Sequence, residues 1–341
     1  MIRLNCDYLE GCHPAILEAL ARTNLEQNPG YGTDEHCLHA AQLIRETFSC
    51  PEAAVHFLVG GTQVNTTMIA AVLRPYEGVL CADTGHINVH ETGAIESTGH
   101  KVLALPNHNG KLTARQIEDA VAAQEDNEHT VRPGMVYISM TTETGTMYTL
   151  AELKSIFAAC RRLGLPLYID GARLGYALMS PGCDITPADL AACCDAFTVG
   201  GTKVGALFGE ALVIHDPALG TRFRYMIKQR GGMLAKGRLL GIQFETLMQD
   251  GLYFRIAKEA ADQAYRIHQA LVAKGIPMLN GSLTNQQFPI FTTAQAEALA
   301  KDFVLEDNGH PDAEHVCLRI CTSWATTDAM VQQLLDAIAK L

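Results

Sequence analysis

The spacing of apolar and polar positions changes character near residue 216. From about residue 36 to 205, short apolar, β-rich runs alternate with amphipathic helical stretches in units of about 25 to 35 residues. This order is typical of a sheet of mostly parallel strands that helices cover. After Asp216 the pattern predicts two long helices, two short strands and a final helix, at roughly 235–249, 253–274, 288–291, 316–321 and from Asp328.

Polar residues mark the starts of several predicted helices. Thr113 with Gln116, and Thr149 with Glu152, have the spacing of a capping box, in which each side chain bonds to the other residue's backbone N–H. Thr186, followed by a proline, is suited to the N-cap of a further helix. Local chemistry therefore predicts three helix starts in this region.

Two apolar runs predict neighbouring buried strands. The run 167–169 leads to Asp170, and the run 196–199 leads into a Gly-Gly-Thr-Lys segment that ends at Lys203. Open α/β sheets carry their chemistry at the carboxyl ends of the strands. We therefore expect Lys203 to lie just past a strand, beside the strand end that carries Asp170.

Charge and hydropathy exclude several classes of partner. The formal net charge is −11, and no segment gathers five or six Lys or Arg residues, so neither nucleic acid nor an anionic membrane is an expected partner. Apolar stretches such as 68–73 are too short to span a bilayer, and residues 1–10 lack the basic end and apolar run of a signal peptide. We expect a cytoplasmic protein whose partners are small molecules or other subunits.

The cysteines do not predict a metal site. The chain has 11 of them, an odd number, and no Cys-x-x-Cys pair from which a zinc site is usually built. Without a signal peptide, this usage is typical of reduced thiols in a cytoplasmic protein. We expect no metal.

Three short motifs carry residues suited to chemistry. Gly60-Gly61-Thr62-Gln63 precedes a helical stretch whose backbone N–H groups suit a phosphate, although a plain turn also fits. Asp170-Gly171-Ala172-Arg173 places an acid at a strand end, where it can hold a protonated pyridine nitrogen or merely cap the backbone. Gly201-Thr202-Lys203 offers an amine that is a nucleophile if its pKa is lowered, or an ordinary surface lysine.

The order of the motifs is more informative than any one of them. Gly-Gly-Thr-Gln, Thr-Gly-His-Ile-Asn around His86, Asp-Gly-Ala-Arg and Gly-Gly-Thr-Lys together resemble the threonine aldolase and β-eliminating lyase family of pyridoxal 5′-phosphate (PLP) enzymes, along nearly the whole chain. The resemblance implies that Lys203 forms a Schiff base with PLP, that Asp170 pairs with the ring nitrogen and that His86 stacks on the ring. It also implies further cofactor contacts from Gly61, Thr62, Gln63, Arg173, Thr202 and Lys236.

The same resemblance implies a small-molecule amino acid substrate. Arg173 and Arg319 match the pair of arginines that binds the substrate α-carboxylate, which suits their charge-assisted hydrogen bonds. Cys6, Tyr31 and Thr142 complete the expected substrate-binding set.

Three segments depart from the family's pattern. Ser139-Met140-Thr141-Thr142-Glu143 stands where many threonine aldolases have Glu-Asn-Thr-His-Asn, which puts Thr142 at the histidine's position. Asn5-Cys6-Asp7-Tyr8 stands in place of Arg-Ser-Asp-Thr, so the Cys6 thiol replaces a serine hydroxyl. Leu234 stands where an arginine is expected, and Lys236 is the substitute phosphate-binding cation, from the same or a neighbouring subunit. These features are closer to the phenylserine aldolase branch, which favours bulky β-substituents.

The resemblance implies the aspartate aminotransferase fold, an α/β fold with a mainly parallel seven-stranded sheet in the large domain and a smaller α/β domain. We expect residues 1–20 to join the small domain, 21–244 to form the large PLP-binding domain and 245–341 to form the small C-terminal domain. A chain of 341 residues is long for a single core, in agreement with two domains. Enzymes of this family build the cofactor site at a subunit interface, which implies a homodimer or a homotetramer.

The implied reaction is that of a carbon–carbon lyase. An L-β-hydroxy-α-amino acid of the threonine, allo-threonine or phenylserine type would be cleaved to glycine and an aldehyde, with His86, directly or through water, as the base for the hydroxyl proton. β-Elimination, transamination and racemisation stay open, because all PLP chemistry uses the same electron sink. A PLP-fold binding protein without turnover is a remote alternative, which the presence of Lys203, Asp170 and Arg173 disfavours.

Overall fold

A computed structural model describes residues 1–124 and 127–341 of the chain. Its strands are β1 (Ile2–Arg3), β2 (Ala54–Leu58), β3 (Glu77–Ala82), β4 (Lys101–Leu105), β5 (Arg132–Ser139), β6 (Leu167–Asp170), β7 (Ala196–Gly200), β8 (Glu210–Ile214), β9 (Gln286–Gln287), β10 (Ile290–Thr292), β11 (Phe303–Val304), β12 (Glu306–Asp307) and β13 (His315–Cys321). Its α-helices are α1 (Pro14–Arg22), α2 (Glu35–Thr47), α3 (Gly61–Val72), α4 (His86–Val89), α5 (Ala114–Ala122), α6 (Leu150–Leu163), α7 (Leu174–Met179), α8 (Pro187–Ala192), α9 (Phe223–Gln229), α10 (Arg238–Met248), α11 (Leu252–Ala273), α12 (Thr293–Leu299) and α13 (Asp328–Lys340).

The larger sheet has seven strands in the order β2-β8-β7-β6-β5-β3-β4. The five strands from β7 to β4 pair in parallel, whereas β8 runs antiparallel between β2 and β7. Both faces are buried: in β5, Val136 and Ile138 join one apolar cluster, and Met135 and Tyr137 join another. Such continuous burial is expected of a parallel sheet with helices on both faces. The predicted α/β fold with a mainly parallel seven-stranded sheet is confirmed.

The three predicted helix starts are confirmed as capping boxes. Thr113 precedes α5, Thr149 precedes α6 and Thr186 precedes α8, and each threonine side chain accepts a hydrogen bond from the N–H three residues later. Helix α6 ends at Gly164, whose φ of 67° lies in the left-handed region that glycine adopts without penalty. These boundaries follow from contacts within a few residues, which is why the sequence predicts them.

One predicted strand is divided in the structure. The run 288–291 was expected to form a single strand, but β9 ends at Gln287 and β10 begins at Ile290. Pro289 lies between them and has no N–H to donate to a neighbouring strand, so it interrupts the ladder. Both short strands still pair with β13, which forms a smaller antiparallel sheet with β10 and β12.

The N-terminal residues pack on the C-terminal part of the chain. Strand β1 pairs in parallel with β11, with Ile2 opposite Phe303. Leu4 belongs to an apolar cluster that includes Ile267 of α11 and Leu334 of α13. The domain limits after residues 20 and 244 stay a prediction.

Residues 1–124 and 127–341 contain neither a membrane-spanning helix nor a cluster of metal ligands. None of the helices there combines the length and the apolar composition needed to cross a membrane. No group of three or more His, Cys, Asp or Glu side chains in those ranges is arranged to hold a metal ion.

Candidate active site

A cavity of about 660 Å³ opens at the carboxyl ends of β5, β6 and β7. The sequence-predicted residues that line it are Gly61, Thr62, His86, Asp170, Arg173, Thr202, Lys203 and Arg319. The carboxyl ends of neighbouring parallel strands meet at one edge of a sheet, which brings these distant residues together. These predicted residues alone contribute an amine, two guanidinium groups, an imidazole and a carboxyl group.

Lys203 is held in a turn just past β7. The backbone N–H groups of Gly201 and Thr202 both donate to the Gly209 carbonyl oxygen at 3.0 Å. Burial lowers the pKa of the Lys203 ammonium, and the positive charge of Arg173 lowers it further, against the opposing effect of nearby carboxylates. A lysine with a lowered pKa supplies more neutral amine, which is the nucleophilic form.

Asp170 is fixed at the end of β6 by three donors. Its Oδ2 accepts hydrogen bonds from the Tyr137 hydroxyl at 2.7 Å and from Asn65 Nδ2 at 3.1 Å. Its Oδ1 accepts from the Ala172 N–H at 3.0 Å. The residue is buried, yet it lines the cavity. The carboxyl group is therefore held in one orientation at the cavity wall.

His86 begins α4 and is anchored at two points. Its backbone N–H donates to Glu143 Oε1 at 2.9 Å, and its ring Nδ1 lies 2.8 Å from Glu91 Oε1. Burial alone would lower the pKa of His86, but the hydrogen bond with Glu91 and the negative charges of Asp170 and Glu91 together outweigh it and raise the pKa. The ring is thus fixed in place, and its carboxylate neighbours stabilise the protonated form more than water does.

Glu91 connects this histidine with Asp170. Its Oε1 also accepts a hydrogen bond of 2.8 Å from Asn65 Nδ2, the same group that donates to Asp170. The Tyr168 hydroxyl fixes Asn65 from the other side through a 2.8 Å hydrogen bond to its Oδ1. Sequence analysis missed Glu91, because its spacing of five residues from His86 carries no recognised motif.

The start of α3 forms the part of the cavity suited to an anion. Gly60 is the N-cap, and in the described part of the chain no side chain caps this turn. A Cβ added at Gly60 or Gly61 would meet nothing within 4 Å, so the space beside the turn is open. Backbone N–H groups at a helix start bind phosphate. The predicted partner Gln63 points elsewhere: its Oε1 accepts from the Val59 N–H at 3.3 Å and its Nε2 donates to the Arg230 carbonyl at 3.4 Å.

Arg173 and Arg319, the arginines predicted to bind the substrate carboxylate, both line the cavity. Both also donate hydrogen bonds to the N-terminal segment. Arg173 donates from Nε to Asp7 Oδ2 at 2.8 Å and from Nη2 to Asp7 Oδ1 at 2.9 Å. Arg319 donates from Nη2 to the Asn5 carbonyl oxygen at 2.8 Å. Cys6, between these two partners, is buried and does not line the cavity.

Thr142 is not brought to the cavity. Its hydroxyl lies 2.7 Å from the Thr146 hydroxyl and accepts a hydrogen bond of 3.1 Å from the Thr146 N–H. The residues that line the cavity in this segment are Ser139, Thr141 and Glu143. β5 ends at Ser139 and the chain then bends and turns, which directs the Thr142 hydroxyl to Thr146 and not to the cavity.

Tyr31 and Lys236 also lie outside this cavity. Tyr31 is exposed, with the Lys228 ammonium 4.7 Å from its ring centroid, and it lines a separate cavity with Met233 and Leu234. Lys236 is an exposed residue before α10. The structure describes a single subunit, and the roles of these two residues stay predictions.

The cavity also has lining residues that sequence analysis did not single out. His90 directly follows α4, and Glu210 begins β8. Tyr8 follows Asp7, and Glu306 lies opposite Arg319 in the smaller sheet. Each of them reaches the cavity through tertiary folding, which a local pattern does not reveal.

Comparisons with known proteins agree with the geometry. The β-eliminating lyase family model matches residues 4–294. The low specificity L-threonine aldolase of Pseudomonas sp. (strain NCIMB 10558) is 32% identical over 340 residues, which cover 96% of this chain and 94% of that protein. The structure of Leishmania major threonine aldolase has a TM-score of 0.97 at 45% identity, and the match covers 100% of this chain and 99% of that one.

A more distant structure shows how widely the fold is shared. The aspartate aminotransferase of Thermus thermophilus has a TM-score of 0.72 at 14% identity, and the match covers 100% of this chain and 91% of that one. This likeness confirms the aspartate aminotransferase fold. The family match and the aldolase relatives go further, and they show that this chain belongs to the β-eliminating lyase family.

Proposed function

We propose that the protein is a PLP-dependent aldolase that cleaves L-β-hydroxy-α-amino acids to glycine and an aldehyde. The observation that carries the proposal is the convergence of Lys203, Asp170, Arg173 and Arg319 on one cavity. Relatives named as threonine aldolases align with nearly the whole chain, which supports a carbon–carbon lyase over other chemistry on this fold.

The cavity has a group for each part of the cofactor. Lys203 offers an amine with a lowered pKa for the aldehyde, and Asp170 offers a fixed carboxyl group for the ring nitrogen. The uncapped start of α3 at Gly61 and Thr62 suits the phosphate, and Thr202 lies beside Lys203 in the lining. When bound, PLP stabilises the electron pair that is left on Cα when one of its bonds breaks.

The arginines provide the means to orient the substrate. Arg173 and Arg319 line the same cavity and can bind one carboxylate with charge-assisted hydrogen bonds. Asp7 occupies two nitrogens of Arg173 and fixes its plane, which leaves Nη1 as the third nitrogen for a ligand. A fixed carboxylate in turn fixes which bond of Cα is aligned for cleavage.

We propose a homodimer or homotetramer as the active form. Large apolar side chains are exposed on the subunit, including Leu17, Leu25 and Leu38, which are 55%, 91% and 52% exposed. Leu17 lies on α1, Leu25 follows that helix and Leu38 lies on α2, so this part of the chain offers apolar side chains for contacts between subunits. Light scattering on the purified protein measures the assembly directly. A cytoplasmic location and a preference for phenylserine stay predictions from the sequence.

Product analysis tests the proposed reaction. The purified enzyme is saturated with PLP and incubated separately with L-threonine, L-allo-threonine, phenylserine and L-serine. We expect glycine together with acetaldehyde or benzaldehyde from the first three substrates. Ammonia with a keto acid would instead identify β-elimination. If none of the substrates yields glycine, the proposal is contradicted. Lys203→Ala is the matched control, since it removes the amine that holds the cofactor.

A further inference from the structure

Two histidines one helical turn apart face the same cavity. His86 begins α4 and His90 follows its last residue, so the two side chains lie on one side of the chain, and both line the cavity. Their ring centroids are 5.5 Å apart, with the ring planes inclined by 52°. The two imidazoles have different surroundings, which gives them different chemistry.

His86 is the less suited of the two histidines to accept a proton from a substrate. Its Nδ1 is engaged with Glu91, and that hydrogen bond together with the nearby carboxylates raises the pKa of the ring. A base must carry a free lone pair before the reaction begins. A raised pKa leaves less of the neutral ring that carries this lone pair than an ordinary histidine has, whereas a fixed ring agrees with stacking on the cofactor.

His90 has the opposite properties. Its side chain is solvent-exposed and makes no hydrogen bond with any residue of the ranges 1–124 and 127–341. Partial burial lowers the pKa of His90, and the positive charges of His86, Arg319, Lys203 and Arg173 lower it further. Repulsion from neighbouring cations favours the neutral ring.

The acidic groups at the cavity do not reverse this lowering of the His90 pKa. Asp170 and Glu143 are occupied by the donors Tyr137 and Ser139, while Glu210 and Glu306 lie at the starts of β8 and β12. Among the described residues, none of the four is within salt-bridge distance of His90. His90 therefore opens onto the cavity without a competing partner, in surroundings that favour its neutral form.

We propose that His90 is the base that removes the β-hydroxyl proton of the substrate during aldol cleavage. The inference rests on the proposed function. It assigns to His90 the role of a base in a chain that has Thr142 where many threonine aldolases have a histidine. His90 takes the proton, the O–H electron pair becomes the second carbon–oxygen bond of the aldehyde, and the Cα–Cβ bond breaks with its electron pair on Cα. A proton delivered to Cα then completes glycine, so the overall reaction moves one proton from oxygen to carbon.

Substitution of His90 tests this role with two readouts. In PLP-saturated His90→Gln, we expect kcat for cleavage of threonine or phenylserine to fall about 10²- to 10⁴-fold, the usual contribution of a general base, with little change in KM. The acid limb of the pH profile of kcat/KM, which lies below the ordinary histidine pKa of 6.5 in the wild type, should disappear. Added imidazole should restore part of the activity to His90→Ala.

Exchange of the glycine α-proton in deuterated water provides the internal control. That exchange breaks a Cα–H bond and involves no hydroxyl, so His90→Gln should exchange glycine at the wild-type rate. Equal loss of exchange and cleavage, or cleavage at the wild-type rate, would overturn the proposal. His108→Gln, at an exposed position outside the cavity, should retain both activities. If the wild type itself releases no glycine from any β-hydroxy amino acid, the proposed function fails, and this outcome is separate from the result for His90.

Discussion

Asp7 and Arg173 form a buried two-point ion pair, with Nε and Nη2 of the arginine 2.8 and 2.9 Å from the two carboxylate oxygens. Asn285 Nδ2 donates to the same carboxylate at 2.9 Å. Burial of Asp7 favours the neutral acid, but the charges of Arg173 and Lys203 and the hydrogen bonds outweigh it and lower its pKa. The pair therefore joins the N-terminal segment, the Asp170 strand end and the loop before β9 at the wall of the cavity.

Asp7→Asn should release Arg173 from this fixed orientation. We expect kcat/KM for amino acid substrates to fall about ten- to a hundredfold, since a charge-assisted contact contributes roughly 1.5–3 kcal/mol. Because the folded-state pKa of Asp7 is lowered, its stabilising effect is present above the ordinary value of 3.8 and is lost as the pH falls through the lowered one. The difference in melting temperature between wild type and variant should therefore shrink in acid. Glu10→Gln, in the same segment but exposed, is the control, and an equal loss there would contradict the specific role of Asp7.

Asp170→Asn should retain the shape of the site and lose its chemistry. An amide cannot keep the pyridine nitrogen protonated, so turnover should fall by orders of magnitude while PLP still binds. Tyr137→Phe is the comparison, because it removes the 2.7 Å hydrogen bond to Asp170 and retains the carboxylate. It should lose much less activity. Steady-state kinetics and the absorption spectrum of the bound cofactor measure both effects, and near-normal turnover of Asp170→Asn would show that another group pairs with the ring.

Arg173 and Arg319 should behave as a single carboxylate clamp. Arg173→Leu and Arg319→Leu are each expected to raise KM and lower kcat, because a loosely held carboxylate no longer aligns the Cα–Cβ bond. The double variant should lose less than the product of the single losses, since either change breaks the clamp. The spectrum of bound PLP controls for folding. An unchanged kcat/KM in Arg319→Leu would mean that the smaller sheet does not hold the carboxylate.

The sequence predicted features that depend on short segments. Thr113 and Thr149 start helices through contacts three residues away, and Asp170 and Lys203 follow apolar runs that form neighbouring parallel strands. The chain order of the motifs then predicted that these residues share a site. Such features depend on the order and spacing of residues along the chain, which the sequence shows directly.

The contacts that tune the site depend on tertiary structure instead. Glu91 meets Asn65, and Asp7 meets Arg173 across 166 positions, so no periodic pattern marks these pairs. Thr142 shows a second limit. Its place in the sequence matches the histidine of the family's motif, but the sequence does not show that its hydroxyl bonds to Thr146 and not to a ligand in the cavity. Carboxylates that pair with cationic side chains in the fold therefore escaped prediction.

Glu210 is a further case of a carboxyl group that the fold places beside the cations of the site. It begins β8, lines the cavity and is 4% exposed. Its Oε2 is buried without a hydrogen-bond partner in the part of the chain that the structure describes. Burial, opposed by the charge of Lys203 and reinforced by that of Asp170, raises the pKa of Glu210 to about 8.

Glu210→Gln should therefore stabilise the cofactor-free enzyme in alkaline solution and not in acid. Between the ordinary glutamate pKa of 4.5 and the folded value of about 8, the folded protein binds a proton that the unfolded chain has released. Stability must then fall as the pH rises through this window, because the wild type has to bury a charge that glutamine lacks. We expect the melting temperature of the variant to match that of the wild type near about pH 5 and to exceed it near about pH 9. Glu306→Gln, at an exposed position of the same cavity, should show no such dependence. An offset between Glu210→Gln and wild type that is equal at both pH values would mean that Glu210 loses its proton as readily in the folded protein as in the unfolded chain.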